Sequence, residues 1–455
     1  MTSETISPDT TTPAPASTPV LETAPKKYGW PHRVVVVGGG FGGLNASRKL
    51  NKAQISVTLI DQRNFHLFQP LLYQVATGAL SPANIAAPLR GILSRQKNCQ
   101  ILMDKVLDID PVNRIIKLED GEVEYDSLIL AAGAGHSYFG HNEWEKNAPG
   151  LKTVEDATDI RRRIFTAFEK AEKETNLEIR NSLLNFVIVG GGPTGVELAG
   201  ALGEISRQSL KYDFRHIDPS KAKILLVEAA DRILMQFPDD LAQSAAKTLE
   251  KLGVEIRTST MVTDIQAAHV KLKHGETEEI LPTSTVIWAA GVQASPLAKK
   301  IAAATGCQQD RAGRLIVNED MLVPGTENIY VIGDMAHYAL PDGKPLPGVA
   351  PVAMQMGVFV AQHIVARINH RTLPKFKYHN YGNMATIGKA SAVADFGWWK
   401  PTGMIAWLLW LVVHLMHIVQ FRNRLLVIFQ WAWNYLTFDR SARLITINNK
   451  PENIS

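Results

Sequence analysis

Cysteine is almost missing from this chain: Cys99 and Cys307 are the only two in 455 residues. They form no CxxC pair and have no ligand-like histidine spacing around them. That argues against a disulfide framework, a zinc site or an iron–sulfur cluster, and leaves two reduced structural thiols and no metal. Charged residues make up only 20% of the chain, and no aromatic-spaced basic patch or basic arm stands out, so nucleic acid is not the expected partner. Residues 1–29 are rich in Thr, Pro, Ser and Ala, carry Glu4, Asp9 and Glu22, and lack an apolar run. They match neither a secretory signal nor an arginine-rich transit peptide, and read as a disordered tail. No Ser-His-Asp or Cys-His arrangement suggests a side-chain nucleophile.

The apolar content of 45% describes a folded protein, and the length calls for two or three domains. The net charge of +4 is concentrated at one end. From Trp398 onward Lys400, Arg422, Arg424, Arg440, Arg443 and Lys450 face only Asp439 and Glu452. Six of the nine tryptophans fall between Trp398 and Trp433. A basic, tryptophan-rich tail points to a membrane surface. Its apolar run, residues 403–419, has 17 residues and carries no Lys, Arg, Asp or Glu. As a helix this reaches about 25 Å, short of a hydrocarbon core of roughly 30 Å. The tail is therefore expected to lie on the membrane without crossing it; the competing reading is a buried helix of a soluble domain. His414 and His417 share one face of that helix and are read as packing residues in preference to haem or metal ligands.

Two stretches repeat the same order of parts. Val34–Val37 enters Gly38-Gly39-Gly40-Phe41-Gly42-Gly43, a helical stretch follows, and a second apolar run ends at Asp61. Further on, Phe186–Val189 enters Gly190-Gly191-Gly192-Pro193-Thr194-Gly195, a helix runs to about Leu210, and the next strand ends at Glu228. Each is a strand, a GxGxxG turn, a helix and a strand closed by an acid, the context in which that motif binds a dinucleotide. The glycines (38, 40 and 43; 190, 192 and 195) let the backbone approach a pyrophosphate at the helix N-terminus. Asp61 and Glu228 are placed to accept from ribose hydroxyls. Glu228 favours NADH, because a carboxylate repels a 2′-phosphate, although Arg232 lies nearby. Leu128–Gly133 and Val286–Gly291 form a further matched pair of strands ending in small residues. The fold class is α/β, with two Rossmann-type domains and a C-terminal helical extension. The expected boundaries are a tail at 1–29, a first FAD-domain segment with a connector helix at 30–180, an NADH domain at 181–303, a second FAD-domain segment at 304–370, and C-terminal strands with membrane-anchoring helices at 371–455.

The order of these parts resembles the pyridine-nucleotide–flavin oxidoreductases over about residues 30–370. The resemblance implies FAD at Gly38, Gly40, Phe41, Gly42, Gly43 and Asp61, at Ala132 and Gly133, and at Gly333 and Asp334 of "IYVIGDMA". It implies NADH at Gly190, Gly192, Gly195, Glu228, Ala290 and Gly291. The region where disulfide reductases carry a cysteine pair is here Phe65–Tyr73, without cysteine. "FHLFQPLLYQVATGAL", "GPTGVELAG", "APVAMQMG" and the aromatic tail together resemble the bacterial type II, single-subunit NADH:quinone oxidoreductases. From that likeness Gln355 is expected beside quinone and flavin, Glu197 near the nicotinamide and Gln355, and Val106 and Lys389 beside FAD. The plainer readings are a core-bonding amide for Gln355 and a surface ion pair for Glu197. The likeness implies electron flow from NADH through FAD to membrane quinone without proton pumping, on the cytoplasmic face of the bacterial plasma membrane. Its partners are quinone and the lipid surface, with a homodimer left open. Two other functions fit the same motifs: a soluble reductase of a ferredoxin-type protein, and a non-enzymatic NADH-responsive flavoprotein.

Overall fold

The computed structural model describes residues 30–340, 343–437, 440 and 442–445. The expected tail at 1–29 lies outside the described residues. Val34, Val35 and Val36 have no exposed surface, as expected of a strand covered on both faces of a parallel sheet. That sheet runs Ile329–Val331, Ser127–Leu130, Arg33–Val37, Ser56–Asp61, Cys99–Met103. Helix α1 (Phe41–Lys49) connects its central strand to the next. After it come the short helix α2 (Leu72–Ala76) and the long α3 (Val154–Lys173).

The second sheet repeats the plan: Thr285–Trp288, Asn185–Val189, Lys223–Val227, Val254–Arg257, with helix α4 (Pro193–Glu204) in the place of α1. The matched small-residue strands occupy equivalent positions. Val34 pairs with Ser127 in one sheet, and Phe186 pairs with Thr285 in the other, both in parallel. Beyond them, Ala134–His136 and Val292–Ala294 pair antiparallel and tie the units together.

Two details differ from the sequence expectation. The connector is two helices, because Glu174 is extended and the Asn176 side chain caps a new start at Glu178 and Ile179. Its first helix is also core: Ile160, Ile164 and Phe168 are fully buried with residues of the second unit. The chain returns to the first unit earlier than residue 303, since Leu297, Ala298 and Ile301 pack in that unit's core. Helix α5 (Ala350–Ile368) crosses α1 so closely that a Cβ on Gly357 would lie 2.3 Å from the Gly42 carbonyl oxygen. A hairpin, Asn383–Gly388 with Ser391–Asp395, then lies on α4, and the described chain ends with helices α6 (Gly403–His417) and α7 (Phe421–Thr437) and a short arm.

Candidate functional site

Both glycine turns are held in the same way. The Gly39 N–H donates to Asp61 Oδ2 at 2.6 Å, and the Gly191 N–H donates to Glu228 Oε2 at 2.5 Å. The second oxygen of each acid is also taken, by the Arg63 N–H at 2.7 Å and the Ala230 N–H at 2.8 Å. The carbonyls of the same two glycines accept as well. His66 Nδ1 reaches Gly39 O at 2.9 Å, and the Leu234 N–H reaches Gly191 O at 2.8 Å. Burial keeps His66 below the usual histidine range, so it is a neutral ring whose Nδ1 carries the donated proton. A Cβ on Gly43 or Gly195 would sit 1.9 or 1.8 Å from the carbonyl oxygen of Gly38 or Gly190, which leaves glycine as the residue that closes each turn. Gly40 and Gly192 face open space at the helix N-termini. Each turn is thus a fixed cradle, open on the side where a pyrophosphate would lie.

At the first cradle Gly333, with φ +66°, brings Asp334 and the start of α5 together. Ala353 of α5 touches both the Gly42 and the Gly333 positions, and the Asp334 carboxyl lies beside Gly348. The Ala132 N–H meets the Met335 sulfur at 3.2 Å, which joins the strand end preceding Gly133 to this turn. Ala290 and Gly291 follow the matching strand Thr285–Trp288 of the second unit, with Gly291 against the ring of Phe139. Val106 opens the strand Val106–Asp110 and packs against the first unit's core.

Glu197 stands on α4, one turn into the helix that starts at the second cradle. It accepts from the Thr386 N–H of the C-terminal hairpin, and burial pushes its carboxyl well above the ordinary carboxylate range. Two turns further on, Glu204 takes the Lys389 N–H on one oxygen and the Arg440 guanidinium on the other, the latter at 2.8 Å with both side chains nearly buried. Lys389 sits at the hairpin turn with its ammonium on the Tyr435 carbonyl and 4.3 Å from that ring's centre. Gln355 uses both ends of its amide on one residue: Nε2 donates to the His379 carbonyl and Oε1 accepts the His379 N–H, each at 2.9 Å. His414 stacks on Trp410 at 4.2 Å, and burial lowers its pKa to about 4, so it is neutral at pH 7.

Comparison with known proteins agrees with this layout. A pyridine nucleotide-disulphide oxidoreductase family model matches residues 32–357, and an NDH2 C-terminal domain model matches residues 380–440. Two proteins of Mycobacterium tuberculosis, the type II NADH:quinone oxidoreductases Ndh and NdhA, are 42% and 44% identical to the chain. They cover 91% and 93% of it, and the matches span 90% and 91% of their own lengths. The chain belongs to the type II NADH:quinone oxidoreductases. The solved structure of NDH2 from Plasmodium falciparum in complex with NADH has the same fold, with a TM-score of 0.82 at 20% identity. That match covers 91% of this chain and all of the other.

In this type II oxidoreductase the residues of the first cradle suit FAD. The turn is pinned on both faces of Gly39, Asp61 is fixed at a strand end, and Gly333-Asp334 converges on the same place. Sequence reasoning did not single out His66, although it stands inside "FHLFQPLLYQVATGAL". Its signal was a lone histidine beside apolar residues, which more often means packing. Glu204 and Arg440 were missed as a pair, because 236 residues separate them.

Proposed function

We propose that helix α4 divides the reaction: its first residues hold NADH, and Glu197, one turn further on beneath the C-terminal hairpin, serves quinone. As a type II oxidoreductase, the protein takes electrons from NADH and delivers them to quinone. Bound FAD supplies the two-electron redox chemistry. The chain's part is to bind, orient and handle protons. The two cradles hold the pyrophosphates of FAD and NADH, and Asp61 and Glu228 hold the riboses. The N-terminal turn of α5, which touches Gly42 and Gly333, directs its partial positive charge at the flavin site.

The observation that carries the quinone side is Glu197. A carboxyl with its pKa raised by burial holds its proton to higher pH than a free one, and it sits where the dinucleotide-binding helix meets the hairpin packed on α6. A neutral acid there can donate to a quinone oxygen as negative charge develops. Gln355 uses one donor and one acceptor on His379 and retains a second of each. That leaves it able to position quinone while it anchors the segment before the hairpin.

The exposed faces of α6 and α7 support docking on lipid. Ile405, Leu408, Val412 and Met416 recur along α6 and Phe429, Trp433 and Leu436 along α7, all more than half exposed. Among the described residues no helix is long and apolar enough to cross a membrane. Surface docking on the cytoplasmic face, with Arg422 and Arg424 at the headgroups, is the placement that fits the positive-inside bias. Stopped-flow absorbance of the holoenzyme tests the division of labour. Flavin bleaches with NADH and recovers with a water-soluble quinone, and Glu197→Gln slows the recovery more than the bleaching. Equal slowing of both steps would contradict it.

A further inference from the structure

Tyr73 of α2 is a buried hydroxyl that the reaction outlined so far leaves without a task. It is 7% exposed, and its neighbour Gln74 is 8% exposed. Gln74 Nε2 donates to the Tyr73 hydroxyl at 2.8 Å, and Gln74 Oε1 accepts from the indole N–H of Trp431 at 2.8 Å. The polarity of this chain is fixed by chemistry. An indole nitrogen can only donate, so the amide must present its oxygen to Trp431 and its nitrogen to Tyr73. The Tyr73 oxygen is therefore an acceptor toward Gln74, and its own proton must point elsewhere. Among the described residues that proton meets no acceptor.

An oriented, unspent donor in a buried setting costs free energy unless a ligand takes it. Its surroundings indicate which ligand. Helix α2 packs on α4, and Tyr73 lies in the electrostatic field of Glu197. On the other side Trp431 belongs to α7, whose outer face is apolar, and it packs against Trp410 of α6 at 5.7 Å between ring centres. Glu197 on one side and these apolar side chains on the other suit a ring that carries hydrogen-bond acceptors.

We propose that Tyr73 donates its hydroxyl hydrogen bond to a carbonyl oxygen of quinone, and that Trp431, acting through Gln74, is the positioning residue that sets this direction from the membrane-facing helix. The proposal rests on quinone binding beside Glu197. It gives α7 a second role: when seated, it orients the donor in the site.

The test is stopped-flow reduction and reoxidation of the holoenzyme carrying Tyr73→Phe, Trp431→Phe or both, with a water-soluble quinone as oxidant. Tyr73→Phe deletes one oxygen and keeps the ring. It is expected to slow reoxidation about tenfold, the factor expected from one hydrogen bond of about 1.4 kcal/mol, with the loss falling on reoxidation and not on reduction by NADH. Trp431→Phe frees the Gln74 amide to turn and should give a smaller loss of the same kind. The double variant should match Tyr73→Phe alone, because a link that acts only through the hydroxyl has nothing left to act on. Reoxidation of Tyr73→Phe at the wild-type rate, or losses that multiply in the double variant, would overturn the proposal. A wild-type flavin that NADH reduces but quinone fails to reoxidise would instead overturn the quinone assignment on which it rests.

Discussion

At Glu228 both carboxylate oxygens are already engaged by backbone N–H groups, so the acid cannot swing away from a 2′-phosphate. Arg232, the nearby cation that might have offset it, is turned to the carbonyls of Leu234 and Phe237 and to Asp239. NADH should therefore be preferred at least tenfold in kcat/KM, which requires only about 1.4 kcal/mol. Glu228→Gln should narrow that ratio about tenfold, and equal use of both nucleotides by the wild type would refute the assignment. Glu197 gives a pH prediction of definite sign. Its carboxyl is pushed up by burial, so its proton is held to higher pH than a free carboxyl's and is lost as pH rises past the raised value. Reoxidation by quinone should decline on the alkaline side, and Glu197→Gln should be slower but flat over the same range. A wild-type decline on the acid side would contradict this. The glycines and their two acids were legible in the sequence because a Rossmann turn writes its requirements locally, from Gly38 to Asp61 and from Gly190 to Glu228. The pairing of Gln355 with His379 was not, since an amide can bond a backbone anywhere the fold brings one.

Among the elements, α4 was legible from its glycine-rich start to its end near Leu210, reached through a π turn at Ile205–Ser209. What covers it was not. The hairpin sits so near that a Cβ on Gly200 would lie 1.6 Å from the Ile387 carbonyl oxygen, a contact no local pattern encodes. The arm after α7 is fastened to the same helix by Arg440, which also donates to the Thr77 carbonyl, while the Ala442 N–H donates to Gly78. Removing one member of a nearly buried ion pair strands the other charge, at a cost of about 3 kcal/mol. Arg440→Gln should therefore lower the Tm by several degrees, and adding Glu204→Gln should recover most of the loss. If the double variant were less stable than the single one, the arm would be held by something other than charge.

For the whole molecule, the two dinucleotide units and the tail follow from the sequence at different depths. The duplication was plain because parallel strands buried on both faces read as unbroken apolar runs. In the tail, hydrophobicity alone could not tell a core helix from a surface one; the structure shows α6 serving as both. Ala406 and Trp410 are buried against the body, while Leu408 and Val412 are 51% and 60% exposed. At 15 residues α6 extends about 22 Å, too short for a bilayer core of roughly 30 Å. The central claim is therefore an enzyme that draws quinone from a membrane it rests on. The most direct measurement compares NADH oxidation with a water-soluble quinone and with a long-chain quinone confined to vesicles, using the full chain and a Leu408→Lys, Phe429→Lys variant. The variant should keep the first activity and lose most of the second together with vesicle binding. If it reduced the vesicle-confined quinone as fast as the unaltered protein, the account of these helices as the route from lipid to flavin would be contradicted.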